Sequence, residues 1–167
     1  MRVLLVFLVS LLQYCSALLE EPIVAFNHTP GTVPIHNARI VHSRDDPAGI
    51  HIAVDSLVSD WEAITGRLPE ITQYPFNETQ TPSGSGSNGT SAIIVATHGS
   101  SLASELRRNN CLGSNSTMLD GKREAFTTLL GDNCLPGIDR ALLIVGSDMR
   151  GTIYGIYTVA EQSGQSP

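Results

Sequence analysis

The chain has 167 residues, 41% of them hydrophobic, which leaves room for one compact domain and excludes a large multi-domain enzyme within this length. Ten Lys and Arg against 16 Asp and Glu give a net charge of −6, a balance that repels polyphosphates and argues against nucleic acid as a partner. Aromatic residues make up only 5% with a single Trp, a small supply for stacking on sugars or bases.

At the start, Arg2 precedes the apolar residues Val3 to Val9 and Leu11-Leu12. This run is shorter than the ~20 residues of a spanning helix and closes on the small residues of Cys15-Ser16-Ala17. Residues 1–17 therefore read as a secretory signal peptide, with an uncleaved anchor as the alternative because Leu18-Leu19 prolong the run. Cleavage removes Arg2 and leaves 150 residues with 9 basic against 16 acidic side chains, a net charge of −7. The mature protein is expected to be secreted and free of the membrane.

Export predicts glycan acceptors and paired cysteines, and the sequence has both. Sequons stand at Asn27, Asn77, Asn88 and Asn115, the first followed by Pro30. Cys15 leaves with the signal, so Cys111 and Cys134 are expected to form one disulfide, two free thiols being the alternative. The two thiols are far apart in sequence, and His28, His36, His42, His51 and His98 form no ligand-spaced cluster with them, so no metal is inferred.

In chain order, Ile23-Val24-Ala25-Phe26 and Ala38-Arg39-Ile40-Val41-His42 are short apolar runs expected to be strands. Asp46 before Pro47 makes a favourable N-cap and first-turn pair. Apolar residues then recur at Ile50, Ala53, Val54, Leu57, Val58, Trp61 and Ile64 until Gly66, which predicts an amphipathic helix. Trp61 lies on its apolar stripe, so core packing accounts for it ahead of sugar stacking. The tract Thr79 to Thr90 is low in complexity and is expected to be a flexible, glycosylated loop. Its Gly84-x-Gly86-x-x-Gly89 precedes a strand, whereas a dinucleotide site needs glycines after a strand and at a helix start, so no cofactor is inferred.

Ala92 to Thr97 reads as a strand, and Gly99 with Ser100 as the cap of a short helix carrying Leu102, Ala103 and Leu106. His98-Gly99-Ser100 lacks both a nucleophile elbow and an evident Asp partner, which makes Ser100 a capping residue. Ala125 to Leu130 is expected to be a hairpin strand, and Ala141 to Gly146 a strand buried on both faces in the centre of the sheet. Ser147 to Gly151 reads as a turn and Thr152 to Gln162 as a helix with Ile153, Ile156, Tyr157 and Ala160 on one face. Strands alternating with helices predict an α/β fold, a mixed β-sheet with helices packed against it.

The run from Ala141 to Tyr157, with Glu161-Gln162 and Ser166-Pro167, resembles the segment of secreted glycoside hydrolase family 115 α-glucuronidases that joins an N-terminal α/β domain to a catalytic barrel. Leu57 to Ile71, Ala92 to Val95 and Gly121 to Phe126 are similar to the same family in the same order, so the resemblance covers most of residues 23–167. A related Arg-Gly-x-x-Tyr-Gly pattern marks this junction in β-hexosaminidases, and the implied fold is a β-hexosaminidase N-terminal-domain-like sandwich. Met149 departs from the basic or polar residue expected there. The chain also stops at Pro167, where the family continues into its barrel.

The resemblance implies that residues 18–167 are a non-catalytic accessory domain of a truncated xylan α-1,2-glucuronidase, with the barrel as partner and glucuronoxylan reached through it. Glycoside hydrolysis needs two carboxyl groups roughly 5–10 Å apart, and the resemblance supplies none within this chain. Glu20-Glu21, Asp45-Asp46 and Glu62 read as solvated surface charge. Asp148, Arg150 and Tyr154 are the residues expected at a substrate or domain interface. Arg150 would pair with a carboxylate of the barrel or of a uronic acid, or form a structural ion pair with Asp148 or a barrel residue. Gly151 and Gly155 are expected where the last helix approaches its neighbours closely, and Ile153, Ile156, Tyr157 and Val159 as an apolar patch left bare without the barrel. The other function class is a stand-alone secreted module that binds carbohydrate or protein without catalysis.

Overall fold

The computed structural model describes residues 23–24, 32–34, 37–77, 90–113 and 117–164. The expected signal peptide, the sequons at Asn27, Asn88 and Asn115, and nearly all of the low-complexity tract lie outside the described residues.

Among the described residues five strands form one sheet in the order β2-β1-β3-β5-β4, where β1 is Arg39–Ser43, β2 Ile71–Tyr74, β3 Ser91–Thr97, β4 Phe126–Leu135 and β5 Ile138–Gly146. The first four in that order run parallel, and β4 returns antiparallel to β5, so the sheet is mixed as expected. Among the described residues three helices pack on it: α1 (Ala48–Thr65), α2 (Ser101–Arg108) and α3 (Met149–Gln162).

Alternation along the strands separates two cores. Ile40, Ile93, Val95, Leu142 and Ile144 face α1 and α3, while Val41, Ala92, Ile94, Leu143 and Val145 face α2. Both faces being covered explains why β3 and β5 are continuous apolar runs with no polar side. β5 lies between β3 and β4, an interior strand as its continuous apolar run predicts.

The expected periodicity of α1 is the periodicity of its burial: Ile50, Ala53, Val54, Leu57, Val58 and Trp61 are buried. Trp61 is only 1% exposed, which makes it a core residue. Gly66 ends the helix at φ +70°, a conformation that suits a residue without a β-carbon. Ser100 caps α2 by accepting the Ala103 amide, as its place before the helix predicts. A disulfide joins Cys111, just past α2, to Cys134 in β4, with Cα atoms 5.7 Å apart.

Three expectations are corrected, and one strand was not foreseen. Ile23 and Val24 are not in a strand; they pack against the α1 and α3 core, and the Ile23 amide donates to Gln162 Oε1 at 2.6 Å. Ile71–Tyr74, of which the sequence reading touched only Ile71, is the strand β2, paired in register with β1 from Ile40↔Ile71 to Ser43↔Tyr74. Asp46 does not cap α1, since its Oδ2 turns back to accept the Ser43 amide at 3.0 Å and Pro47 holds the cap position. The last helix begins at Met149, three residues before its expected start, because Asp148 caps it.

Candidate functional site

Because β1, β2, β3 and β5 run parallel, their carboxyl ends gather on one edge of the sheet, at Ser43, Tyr74, Thr97 and Gly146. The chain leaves β1 outward to β2 and returns past it to β3, so the direction of winding reverses between β1 and β3. In open α/β sheets this is the place where ligands bind. Asp148 and Arg150, singled out from sequence, stand at this edge, because α3 starts directly after β5 ends.

Between β1 and β3 the side chains are polar and tied to one another. Ser43 Oγ and Ser101 Oγ are 3.2 Å apart, Thr97 Oγ1 and Thr152 Oγ1 2.9 Å. Asp46 is 7% exposed and is therefore not the solvated charge its sequence context implies. Its Oδ1 makes no hydrogen bond of good geometry among the described residues, although the Thr97 hydroxyl is near enough to favour its charged form. Burial pushes the Asp46 carboxyl above the ordinary aspartate range, against the Ser43 amide, His51 and Thr97, which pull it down. Beside it, the His42 ring, 3% exposed, meets the His51 ring edge-on with centroids 4.9 Å apart. Burial, with His51 next, holds His42 below the ordinary imidazole range.

Farther along the edge, Asp148 uses both carboxylate oxygens on backbone. Oδ1 accepts the Gly151 amide and Oδ2 the Glu124 amide, each at 2.8 Å. These two amides hold its carboxyl below the ordinary aspartate range. Arg150 Nη1 pairs with Glu124 Oε1 at 2.7 Å, so the partner is Glu124, which sequence reading passed over, and not Asp148. Tyr154, 44% exposed, stands near this guanidinium. Asp148 and Arg150 thus join the turn before β4 to the start of α3.

The glycines of the Arg-Gly-x-x-Tyr-Gly pattern have a packing cause. A β-carbon on Gly151 would lie 2.2 Å from the Ala125 carbonyl oxygen, and one on Gly155 2.6 Å from Ile144 Cγ2. The expected bare apolar patch on this helix is smaller than predicted: Ile156 and Val159 are fully covered by the sheet, Ile153 is half-buried, and Met149, Tyr154 and Tyr157 are exposed.

His98, at the end of β3, pairs with Asp120 Oδ1 at 2.8 Å, supplying the Asp partner that the local sequence did not reveal. Ser100 is engaged as the cap of α2, its Oγ accepting the Ala103 amide at 3.1 Å. The void beside His98 has a volume of about 10 Å³, about the size of one water. A wider groove of about 490 Å³ runs between β4 and α3, lined by Phe126, Thr128, Thr158 and Gln162. Among the described residues no three His, Cys, Asp or Glu side chains gather to hold a metal ion, and no helix is long and apolar enough to cross a membrane. Asn77, the one sequon asparagine among the described residues, is exposed after β2, and its Oδ1 accepts from Arg44 Nη2 at 3.2 Å.

No protein-family profile matches the sequence, and no curated protein matches it. Among solved structures, the chain is similar to a family GH115 4-O-methyl-α-glucuronidase with specificity for decorated arabinogalactans, at a TM-score of 0.56 and 22% identity. The alignment covers 78% of this chain and 14% of that one, so the chain spans about a seventh of its structural neighbour. The shared property is the α/β fold, a mixed sheet with helices packed on it.

Proposed function

We propose that this chain is the non-catalytic N-terminal domain of a larger secreted α-glucuronidase, with glucuronoxylan as the substrate of the whole enzyme. The observation that carries the reading is the likeness to a GH115 α-glucuronidase over 78% of the chain. The Arg-Gly-x-x-Tyr-Gly pattern supports it, since its glycines are required by the packing of α3 on β4 and β5. In this reading the outer face of α3, with Met149, Tyr154 and Tyr157 exposed beside Arg150, leans on the catalytic barrel. Two carboxylates facing each other across a sugar-sized cleft are the machinery of glycoside hydrolysis. On the edge described here Asp148 is engaged with backbone and Glu124 with Arg150, so the barrel would supply the catalytic pair. The sequon at Asn77, the disulfide and the apolar start of the chain support secretion.

The test is the transcript sequence beyond the Pro167 codon, with assay of the secreted product on 4-O-methylglucuronoxylan. An open frame encoding a barrel, and release of the uronic acid, are expected. A stop codon at that position with abundant secreted product would overturn the reading. It would favour a stand-alone binding module, for which the exposed Tyr154 and Tyr157 are the natural contact surface.

A further inference from the structure

The corner where β1 turns into α1 holds a buried histidine whose burial favours the neutral form. His42 lies two residues after Ile40, on the sheet face covered by α1 and α3, and is 3% exposed. Its Nδ1 lies 3.1 Å from the Ser43 carbonyl oxygen, placing the donor proton there, and its ring meets that of His51 in the first turn of α1. In register, β2 and β3 place Gln73 and Val95 beside it, neither of which titrates. From α1 the charged and titratable groups acting on it are His51 and, more weakly, Asp55. Asp46, between β1 and α1, acts on His51. α2 covers the opposite face of the sheet, and from α3 the residues that reach the start of α1 are Met149 and Ile153, against Gly49.

We propose that the His42–His51 contact is an acid-sensitive latch, at which proton uptake on the buried imidazole opens the first turns of α1 while the sheet stays folded. A charge on His42 has to be taken out of water and set against a second imidazole, with no carboxylate hydrogen-bonded to it among the described residues and only the weaker pull of Asp55 to offset it. The local remedy is to swing α1 away at its start, which frees both rings to water. Opening there also withdraws Gly49 from Met149 and Ile153, so the latch bears on how α1 and α3 hold together. It does not depend on the glycosidase reading.

A buried histidine of this kind contributes its stability above its free value of 6.5, and loses it as pH falls below that value toward the folded one. Histidine C2–H resonances and amide hydrogen exchange, followed in the full secreted chain from pH 7.5 to 5, read the latch directly. His42 is expected to take up its proton below pH 6.5. Exchange at Gly49 to Ala53, corrected for its intrinsic pH dependence, should accelerate by up to about tenfold per pH unit through the window while β3 and β5 amides stay protected. In His42→Phe, which keeps an aromatic ring without a titrating group, the acceleration should vanish. The proposal fails if His42 titrates as a free imidazole, if α1 and β3 amides lose protection together, or if the exchange at Gly49 to Ala53 is unchanged between pH 7.5 and 5. Where His42→Phe does not fold, the wild-type resonances and exchange rates alone decide.

Discussion

Gly155 faces Ile144 so closely that a β-carbon on the glycine would lie 2.6 Å from Cγ2 of the isoleucine, and 3.1 Å from Phe126 Cδ2. One turn earlier, Gly151 has the same relation to the Ala125 carbonyl oxygen, at 2.2 Å. In an exposed helix, exchanging Gly for Ala gains about 1 kcal/mol of helix propensity. Here the gain is outweighed by overpacking, which typically costs about 1–3 kcal/mol. Gly151→Ala is expected to be the worse of the two single alanine variants, because the atom it strikes is backbone and Ile144 has some freedom to shift. Denaturant unfolding that showed either alanine variant more stable than the parent would contradict this account of the motif.

The Cys111–Cys134 bridge closes a loop with a sequence separation of 23 and ties the end of α2 to β4. In the chain-entropy account such a loop contributes roughly 3 kcal/mol, mainly by restricting the unfolded chain. The double variant Cys111→Ser with Cys134→Ser is expected to unfold about 6–12 °C below the parent, at the usual 2–4 °C per kcal/mol for a chain of this size. Adding reductant should lower the parent's midpoint and leave the variant's unchanged.

How much of this was legible in the sequence depended on the range of the interaction concerned. The apolar spacing of α1, the double-sided burial of Ala141 to Gly146 and the Ser100 cap are local properties, and the sequence displays them. Strand β2 has only four residues, Ile71-Thr72-Gln73-Tyr74, with too little apolar content to announce itself, and it is a strand because β1 offers it an edge. Asp46 looks like any acidic residue next to Asp45, yet the return of its side chain to the Ser43 amide buries it. The His98–Asp120 and Arg150–Glu124 pairs span 22 and 26 residues, and no spacing rule connects such positions. Of the three residues expected at an interface, Asp148 and Arg150 proved to be joined to Glu124, and Tyr154 is exposed beside them.

Asp148 is where the turn before β4 and the start of α3 are held together, since its carboxylate accepts the amides of Gly151 and Glu124. Asp148→Ala removes both acceptors and is expected to lower the unfolding midpoint and to loosen Arg150 from Glu124. These amides favour the charged carboxylate, so the stabilisation is present above the ordinary aspartate value of 3.8 and is lost as pH falls below it toward the folded value. The gap between parent and variant should therefore narrow below pH 4 in thermal scans. A gap independent of pH would mean that the carboxylate charge is irrelevant to the cap.

Asp46 has the opposite sign. Burial raises its carboxyl above 3.8, so the folded chain favours the protonated acid. The associated stability is fully present below 3.8 and is lost as pH rises through the folded value. At neutral pH the fold therefore carries a buried charge that the Ser43 amide, His51 and Thr97 help to offset. Asp46→Asn keeps an oxygen to accept the Ser43 amide and places an NH2 group where Oδ1 has no good partner, with the Thr97 hydroxyl close by as an acceptor. The variant is expected to melt above the parent at pH 7 and to lose its advantage as pH falls toward 4, where the parent's own carboxyl takes up its proton. Should the variant melt below the parent at pH 7, the charge on Asp46 is what the corner requires.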